Sequence, residues 1–134
     1  DSMLLLHLMS LLCPQNIRAI YIDHQLQKTV PIGGVLWHLF VMNECAFIVQ
    51  AVQVHNGNLE NQARTARYQA YQTHLKANEV LVLAHHQQDQ AETLMLRLLS
   101  GAGSHGLAAM QQLDQRDQLT SWRPLLNVSR EQIC

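Results

Sequence analysis

The sequence predicts an α/β fold with a mostly parallel sheet in a single domain. Two observations support the fold class and a third the number of domains. Short apolar runs typical of strands alternate along the chain with patterns of helical period. Residues 80–84 are continuously apolar, as expected of a strand buried on both faces of a parallel sheet. The chain has 134 residues, about one domain's worth, so we expect a single domain over residues 1–134.

The first part of the chain predicts a helix followed by two strands. Residues 3–13 place their leucines on one helix face, and Ser2 precedes them as a plausible N-cap. Residues 17–22 form a short run rich in β-branched side chains, which indicates a strand. Residues 46–54 are a second candidate strand, and a turn follows at 55–58.

The second part predicts two longer helices separated by the strand at residues 80–84. Asn58 caps the first of them, with an apolar stripe and a polar face. The stripe comprises Leu59, Ala63, Ala66 and Ala70, and the other face carries Glu60, Arg64, Arg67, Tyr68 and Tyr71. The second helix covers about residues 89–99, with a buried stripe of Ala91, Leu94, Met95, Leu98 and Leu99. A further helix begins near residues 128–131.

Composition excludes several classes of protein. Charged residues make up 14% of the chain and apolar residues 48%, which argues against a disordered charged tail. The net charge of −1 means that a polyanion site would have to be a local patch. The three cysteines are odd in number and lack CxxC spacing, which argues against a disulfide scaffold or a Cys-rich zinc site and favours a reducing compartment. Two apolar runs, at 3–13 and 32–54, lack the flanks of a signal peptide or the uninterrupted length of a membrane span.

Parallel sheets bind ligands beyond the carboxyl ends of their strands, which directs attention to residues 23–24 and 85–86. Asp89 opens the next helix, where the positive helix terminus stabilises a carboxylate by about 0.3–1 kcal/mol. One interpretation is a plain strand-to-helix turn with Asp89 as N-cap. Another is a metal hydrolase built on His86, Asp89 and Glu92, although no third convergent ligand and no HEXXH spacing support it.

Three further features leave alternatives open. Residues 101–106 match G-x-G-x-x-G, but a helix precedes them, so we reject a dinucleotide fingerprint and expect a tight helix exit. The face with Arg64, Arg67 and two tyrosines suits phosphate or RNA contact, or is simply solvated, with a Glu60–Arg64 pair. Arg123 precedes a proline and therefore lies in extended backbone leaving a sheet edge.

Taken together and in order, the motifs resemble one family. They are DS (1–2), IYIDHQL (20–26), NLENQARTARY (58–68), AHHQQDQAET (84–93), LLSGAG (98–103) with Gly106, Leu107 and Met110, and RPLL (123–126). This series resembles the tRNA(Ile)-lysidine synthetases of the PP-loop, or N-type ATP pyrophosphatase, superfamily. Asp1-Ser2 is similar to the end of that family's S-G-G-x-D-S phosphate loop. The resemblance is strong from about residue 56 to 134 and good from 1 to 27.

The resemblance implies a three-layer, parallel-sheet PP-loop domain (adenine nucleotide alpha hydrolase-like) that lacks its first strand in this chain. It implies a ligase that forms a carbon–nitrogen bond. The wobble cytidine of tRNA(Ile) with a CAU anticodon is adenylated from ATP, and free L-lysine then gives lysidine, with AMP and pyrophosphate released. It further implies ATP and Mg²⁺ as cofactors, a cytoplasmic location and no membrane association. It also allows assembly as a homodimer.

The resemblance also implies roles for individual residues. The catalytic group comprises Asp1, His86 and Asp89. ATP is bound by Asp1, Ser2, Arg64 and His86. Lysine or tRNA is bound by Arg64, Arg67, Asp89, Glu92 and Arg123. The magnesium ligands are Asp1 and Asp89.

The sequence departs from the family in two places. Both ends look cut, and the Ser-Gly-Gly-x part of the phosphate loop is missing, so we expect this chain alone to be inactive. Residues 28–46 do not look like the family, and a frameshift, a mis-traced segment or genuine divergence would each explain them. Two alternatives stay open: another PP-loop tRNA-modifying or nucleotide-activating enzyme, and a non-catalytic nucleotide-binding remnant.

Overall fold

The computed structural model describes residues 1–23, 46–51, 59–101, 103 and 108–134. Their helices are α1 (Ser2–Leu12), α2 (Leu59–His74), α3 (Gln87–Leu99) and α4 (Arg130–Ile133). Their strands are β1 (Arg18–Asp23), β2 (Ala46–Ala51), β3 (Leu81–Val82), β4 (Leu113–Arg116) and β5 (Leu119–Trp122). The predicted α/β fold class is confirmed. The turn at 55–58 and residues 28–45 of the atypical segment lie outside the described residues.

The chain comprises two compact units, one formed by Asp1–Leu5 with Leu75–Cys134 and the other by Leu6–His74. We call them the site unit and the β1–α2 unit, respectively. The site unit holds a three-stranded sheet in the order β3-β5-β4, and the β1–α2 unit holds the parallel pair β1-β2.

The β1–α2 unit confirms both strands predicted in the first half. β1 and β2 pair in parallel, from Arg18 opposite Ala46 to Asp23 opposite Ala51. Residues 52–54 of the predicted second strand lie outside the described residues. The Nη2 of Arg18 donates to the carbonyl oxygen of His74 at 2.9 Å, which satisfies one of the last carbonyls of α2.

Helix α2 confirms the prediction of a helix after Asn58, but one residue lies on the wrong face. Ala70 is buried, as predicted for the apolar stripe. Tyr71, which we expected on the polar face, is also buried, with 9% of its surface exposed. Its ring packs edge-on against Tyr68, with 6.1 Å between the ring centroids. Desolvating a large aromatic ring is favourable, and this outweighs the polar pattern around it.

The sheet of the site unit is mixed rather than wholly parallel. β3 and β5 run parallel, with Leu81 opposite Ser121, whereas β4 and β5 are antiparallel. A two-residue turn, Asp117 and Gln118, joins β4 to β5. The sequence pattern did not predict this hairpin, because its strands are only four residues long, β4 is mostly exposed, and the turn lacks glycine.

Four leucines form the apolar core of the site unit. They are Leu5, Leu81, Leu119 and Leu126, each less than 9% exposed. β3 is shorter than the predicted run at 80–84, yet Leu83 still donates its backbone N–H to the carbonyl of Trp122 at 2.9 Å. The parallel pairing therefore carries the chain towards residue 85.

Helix α3 corrects two expectations. It begins at Gln87 with His86 as the N-cap, so Asp89 is the third helical residue rather than the cap. The stripe predicted to be buried is exposed, including Leu94, Met95, Leu98 and Leu99. Helical periodicity shows that an apolar face exists but does not specify what covers it. Polar contacts hold α3 instead, such as the backbone bond from Gln87 to Val128 at 3.0 Å.

The helix ends follow local chemistry. α1 begins at Ser2 itself, and the carbonyl of Asp1 accepts the N–H of Leu5, so the N-cap expected at Ser2 lies one residue earlier. Gly101 follows α3 with φ of +71°, a left-handed exit suited to glycine, as the loop prediction required. Ser129 caps α4, confirming the predicted helix start.

No helix among the described residues has both the length and the apolar character needed to cross a bilayer.

Candidate functional site

Three of the predicted site residues come together in the site unit: Asp1, His86 and Asp89. The Nε2 of His86 lies 3.1 Å from an Asp1 carboxylate oxygen. Its Nδ1 lies 3.3 Å from Oδ2 of Asp89. The imidazole is buried, with 7% of its side chain exposed, whereas the Asp1 and Asp89 side chains are 37% and 35% exposed. One buried ring thus joins two carboxylates that solvent can reach.

The strand β3 and the helix α3 place the two later members of this cluster. The chain leaves β3 through His85 and His86, at the carboxyl end of a strand, where α/β folds place ligand sites. The Oδ2 of Asp89 accepts the backbone N–H of His86 at 2.8 Å, half of a capping box. This contact keeps the Asp89 carboxylate at the positive end of α3.

Asp1 reaches the cluster from the start of α1. Its carbonyl oxygen receives the N–H of Leu5 at 3.0 Å, so its backbone belongs to the first turn of the helix. Because Asp1 contacts His86, the N-cap of α3, the amino-terminal ends of both helices lie at the cluster. Helix amino termini attract anions through their free N–H groups and aligned dipoles, so this location suits a phosphate.

One nitrogen of the His86 ring lacks a hydrogen bond among the described residues. Among the described residues, no group forms a hydrogen bond with the buried Nδ1, although an Asp89 oxygen lies 3.3 Å away. A buried polar atom without a hydrogen bond costs about 1–3 kcal/mol. That cost favours a functional role for His86 over a purely structural one.

Arg123 lies in the same unit but contacts other groups. It is buried, with 5% exposed. Its Nε donates to Nδ1 of His85 at 3.2 Å, and its Nη1 donates to the carbonyl of Gln111 at 3.0 Å. Arg123 is therefore linked to the cluster through His85, the residue that precedes His86.

Gln90 makes a structural contact near the site that the sequence analysis did not predict. Its side-chain amide pairs with both backbone groups of Met110, donating to the carbonyl and accepting the N–H, each at 2.8 Å. This ties the chain after the glycine-rich segment to the first turn of α3. A glutamine beside Asp89 in a helix carries no sequence signal for such pairing, because the partner is 20 residues away.

The remaining predicted site residues lie on the helices α1, α2 and α3. Ser2 is exposed at the start of α1, and Glu92 is exposed on α3. Arg64 and Arg67 belong to the β1–α2 unit, where both are exposed on α2. The Arg64 guanidinium lies 6.0 Å from the centre of the Tyr68 ring. Within the described ranges, no group of three His, Cys, Asp or Glu side chains is arranged to hold a metal ion.

The comparisons with known proteins agree with the resemblance seen in the sequence. The chain is 60% identical over 134 residues to a tRNA(Ile)-lysidine synthase of Acinetobacter baylyi, covering 99% of this chain and 29% of the relative. It is 43% identical over 139 residues to that of Actinobacillus pleuropneumoniae serotype 3, and 42% over 143 residues to that of Proteus mirabilis, covering 99% of this chain and 32% of each relative. It thus spans about a third of the length of these relatives. The family model described as a PP-loop domain matches residues 1–134, and the chain therefore belongs to the PP-loop domain family.

Proposed function

We propose that this chain carries the PP-loop part of a tRNA(Ile)-lysidine synthetase, a ligase that forms a carbon–nitrogen bond. The observation that carries the proposal is the 60% identity to a tRNA(Ile)-lysidine synthase over 99% of the chain. The substrates would be ATP, free L-lysine and a tRNA(Ile) with a CAU anticodon, in the cytoplasm. Assembly as a homodimer remains part of the proposal, to be tested by the mass of the full-length protein in solution.

The proposed reaction has two steps. The C2 oxygen of the wobble cytidine attacks the α-phosphorus of ATP, and pyrophosphate leaves. The ε-amine of lysine then attacks C2, and AMP leaves with the oxygen. The first step requires that the charge of the triphosphate be neutralised. The second step requires that the lysine amine be held close to C2 and deprotonated.

We assign the magnesium ion that the family uses to the carboxylates of Asp1 and Asp89. Magnesium is usually bound through one or two carboxylates together with substrate phosphates and water. Asp1 and Asp89 both contact His86 and both reach solvent. They are the residues that would hold the ion, which supplies positive charge against the triphosphate. Ser2 would hold a phosphate oxygen at the amino end of α1.

The remaining roles follow from charge and position. His86 would contact phosphate or move a proton at Nδ1, the buried atom without a hydrogen bond in the described structure. Asp89 would also orient the lysine amine, because a carboxylate attracts and accepts from an ammonium group. Arg64 and Arg67, exposed on α2, would bind ATP phosphates or the tRNA. Glu92 and Arg123 would help to position the substrate.

The test is incorporation of labelled lysine into tRNA(Ile) by the full-length protein, beside the 134-residue chain. We expect the full-length protein to incorporate lysine only when ATP is present, and the 134-residue chain to incorporate none. If the full-length protein incorporates no lysine but releases pyrophosphate with another acceptor, the superfamily is right and the lysidine proposal is wrong.

A further inference from the structure

Arg123 lies near the point where the chain leaves β3. It follows β5 directly, and β5 pairs in parallel with β3, with Val82 opposite Trp122. The carboxyl ends of paired parallel strands meet at one edge of the sheet. Arg123 therefore lies at the same edge as His85, which follows β3.

Arg123 donates three hydrogen bonds within the described residues. Its Nε donates to His85 Nδ1 at 3.2 Å and its Nη1 to the Gln111 carbonyl at 3.0 Å. Its backbone N–H donates to the Gln112 carbonyl at 2.7 Å. With 5% of its surface exposed, the side chain offers a substrate little surface to contact.

The guanidinium is a buried cation whose hydrogen-bond acceptors are uncharged. Within the part of the chain that the structure describes, no carboxylate pairs with Arg123. Burial of a charge without an opposite charge is costly, and an apolar side chain of similar volume would avoid that cost. An arginine at this position is therefore better explained by the geometry it imposes than by stability.

The chemistry of the pair determines where the His85 proton lies. A guanidinium has only donors, so His85 Nδ1 must be an acceptor without hydrogen. The ring is then neutral and carries its hydrogen on Nε2. The planar fork of arginine holds His85 and Gln111 in fixed directions at once, which the single ammonium of lysine does not reproduce.

We propose that Arg123 is a positioning residue that locks His85 as the neutral Nε2–H tautomer. In doing so it holds the His85–His86 exit of β3 in the orientation from which His86 contacts Asp1 and Asp89. Arg123 acts through His85 and does not contact a substrate. The structural half of this proposal stands on the contacts alone, and only its kinetic consequence rests on the proposed function.

The tautomer is tested by nitrogen NMR on the full-length protein, labelled with ¹⁵N-histidine at mildly alkaline pH. The His85 signal is assigned with H85Q. We expect the wild-type ring to carry hydrogen on Nε2 alone, and R123M, which offers His85 no donor, to populate both tautomers. Arg116, exposed at the end of β4, supplies the matched control R116M, which leaves the His85 signal unchanged. A wild-type ring protonated on Nδ1 overturns the proposal, even if R123M does not fold.

Steady-state lysine incorporation supplies the functional readout. We expect R123M to lower kcat by about 10-fold to 100-fold, in the range seen for residues that orient a site side chain. KM for lysine and ATP should change by less than about twofold. A raised KM with kcat retained and the His85 tautomer unchanged would mean direct substrate contact, and the proposal would be wrong. If the full-length wild type incorporates no lysine, the proposed function fails while the NMR result still decides the tautomer.

Discussion

At the scale of single residues, one carboxylate has two separable tasks. Asp89 accepts the His86 N–H at 2.8 Å, which caps α3, and it lies 3.3 Å from the His86 ring, which is an electrostatic contact. An asparagine can perform the first task with its amide oxygen but not the second, because it carries no charge. The two tasks can therefore be told apart by substitution.

We expect D89N to keep its stability and lose its activity. The free energy of unfolding should fall by less than about 1 kcal/mol, because the cap is retained. Lysine incorporation by the full-length protein should fall at least about 10-fold. Chemical denaturation and the labelled-lysine assay measure the two quantities. Asp117, in the β4–β5 turn, gives the control D117N, which should retain activity. Normal activity in D89N would remove the carboxylate from the mechanism.

Tyr71 gives a prediction about alkaline stability. Burial raises its pKa above the ordinary value of 10.0, while the positive charge of Arg67 opposes that rise and Tyr68 adds to it. The folded state holds the phenol proton more tightly than the unfolded state. This contribution to stability is complete below the unfolded pKa of about 10 and is lost as pH rises through the higher folded pKa.

The measurement is the free energy of unfolding between about pH 8 and about pH 11, by urea denaturation. Y71F should lose stability less steeply than the wild type above about pH 10, because it has no phenol at this position. Y68F keeps the Tyr71 hydroxyl and removes only the smallest contribution to its raised pKa, so its slope should stay close to that of the wild type. Equal slopes in the wild type and Y71F would contradict the prediction.

At the scale of elements, local patterns predicted the elements whose causes are local. Strand β1 and helix α2 followed from β-branched runs and helical period, since these patterns act within a few residues. The β4–β5 hairpin and the exposure of Leu98 on α3 did not follow, because both depend on distant packing. The same distinction between local and distant causes holds at the site. His86 and Asp89 were predicted from one strand-to-helix turn, whereas the contact of Asp1 with His86 spans 85 positions.

The two residues of the β4–β5 turn are not those that its backbone conformation favours. Asp117 and Gln118 have φ of 49° and 67°, the conformation of a type I′ turn, which favours Asn-Gly. A non-glycine residue in the left-handed region costs roughly 1–2 kcal/mol, partly offset by the larger unfolded-state entropy of glycine.

We therefore expect Q118G to raise the free energy of unfolding by roughly 0.5–1 kcal/mol. Q115G, in the neighbouring strand β4, should lower it instead, because glycine weakens a strand. Urea denaturation of both variants distinguishes turn strain from a general effect of glycine. A destabilised Q118G would show that the Gln118 side chain contributes more than its backbone strain costs.

At the scale of the whole molecule, the charge balance limits how a polyanion is bound. The net charge of −1 gives this chain no general attraction for a polyanion, so any tRNA contact that the proposed function asks of it has to come from local cations. The exposed Arg64 and Arg67, one turn apart on α2, form the face for which the sequence left open either RNA contact or simple solvation. Burial of Tyr71 removes one of the two stacking rings expected there and leaves Tyr68, beside Arg64.

Salt dependence of tRNA binding tests this patch in the full-length protein. Each arginine that neutralises a phosphate adds about 1 to the slope of log affinity against log salt concentration, so R64Q/R67Q should reduce that slope by about 2. The double variant R116Q/R130Q removes the same charge from two exposed arginines elsewhere and should leave the slope nearly unchanged. Equal reductions in both variants would mean that overall charge, rather than a patch on α2, attracts the tRNA. A higher KM for ATP with an unchanged slope would assign the two arginines to the nucleotide.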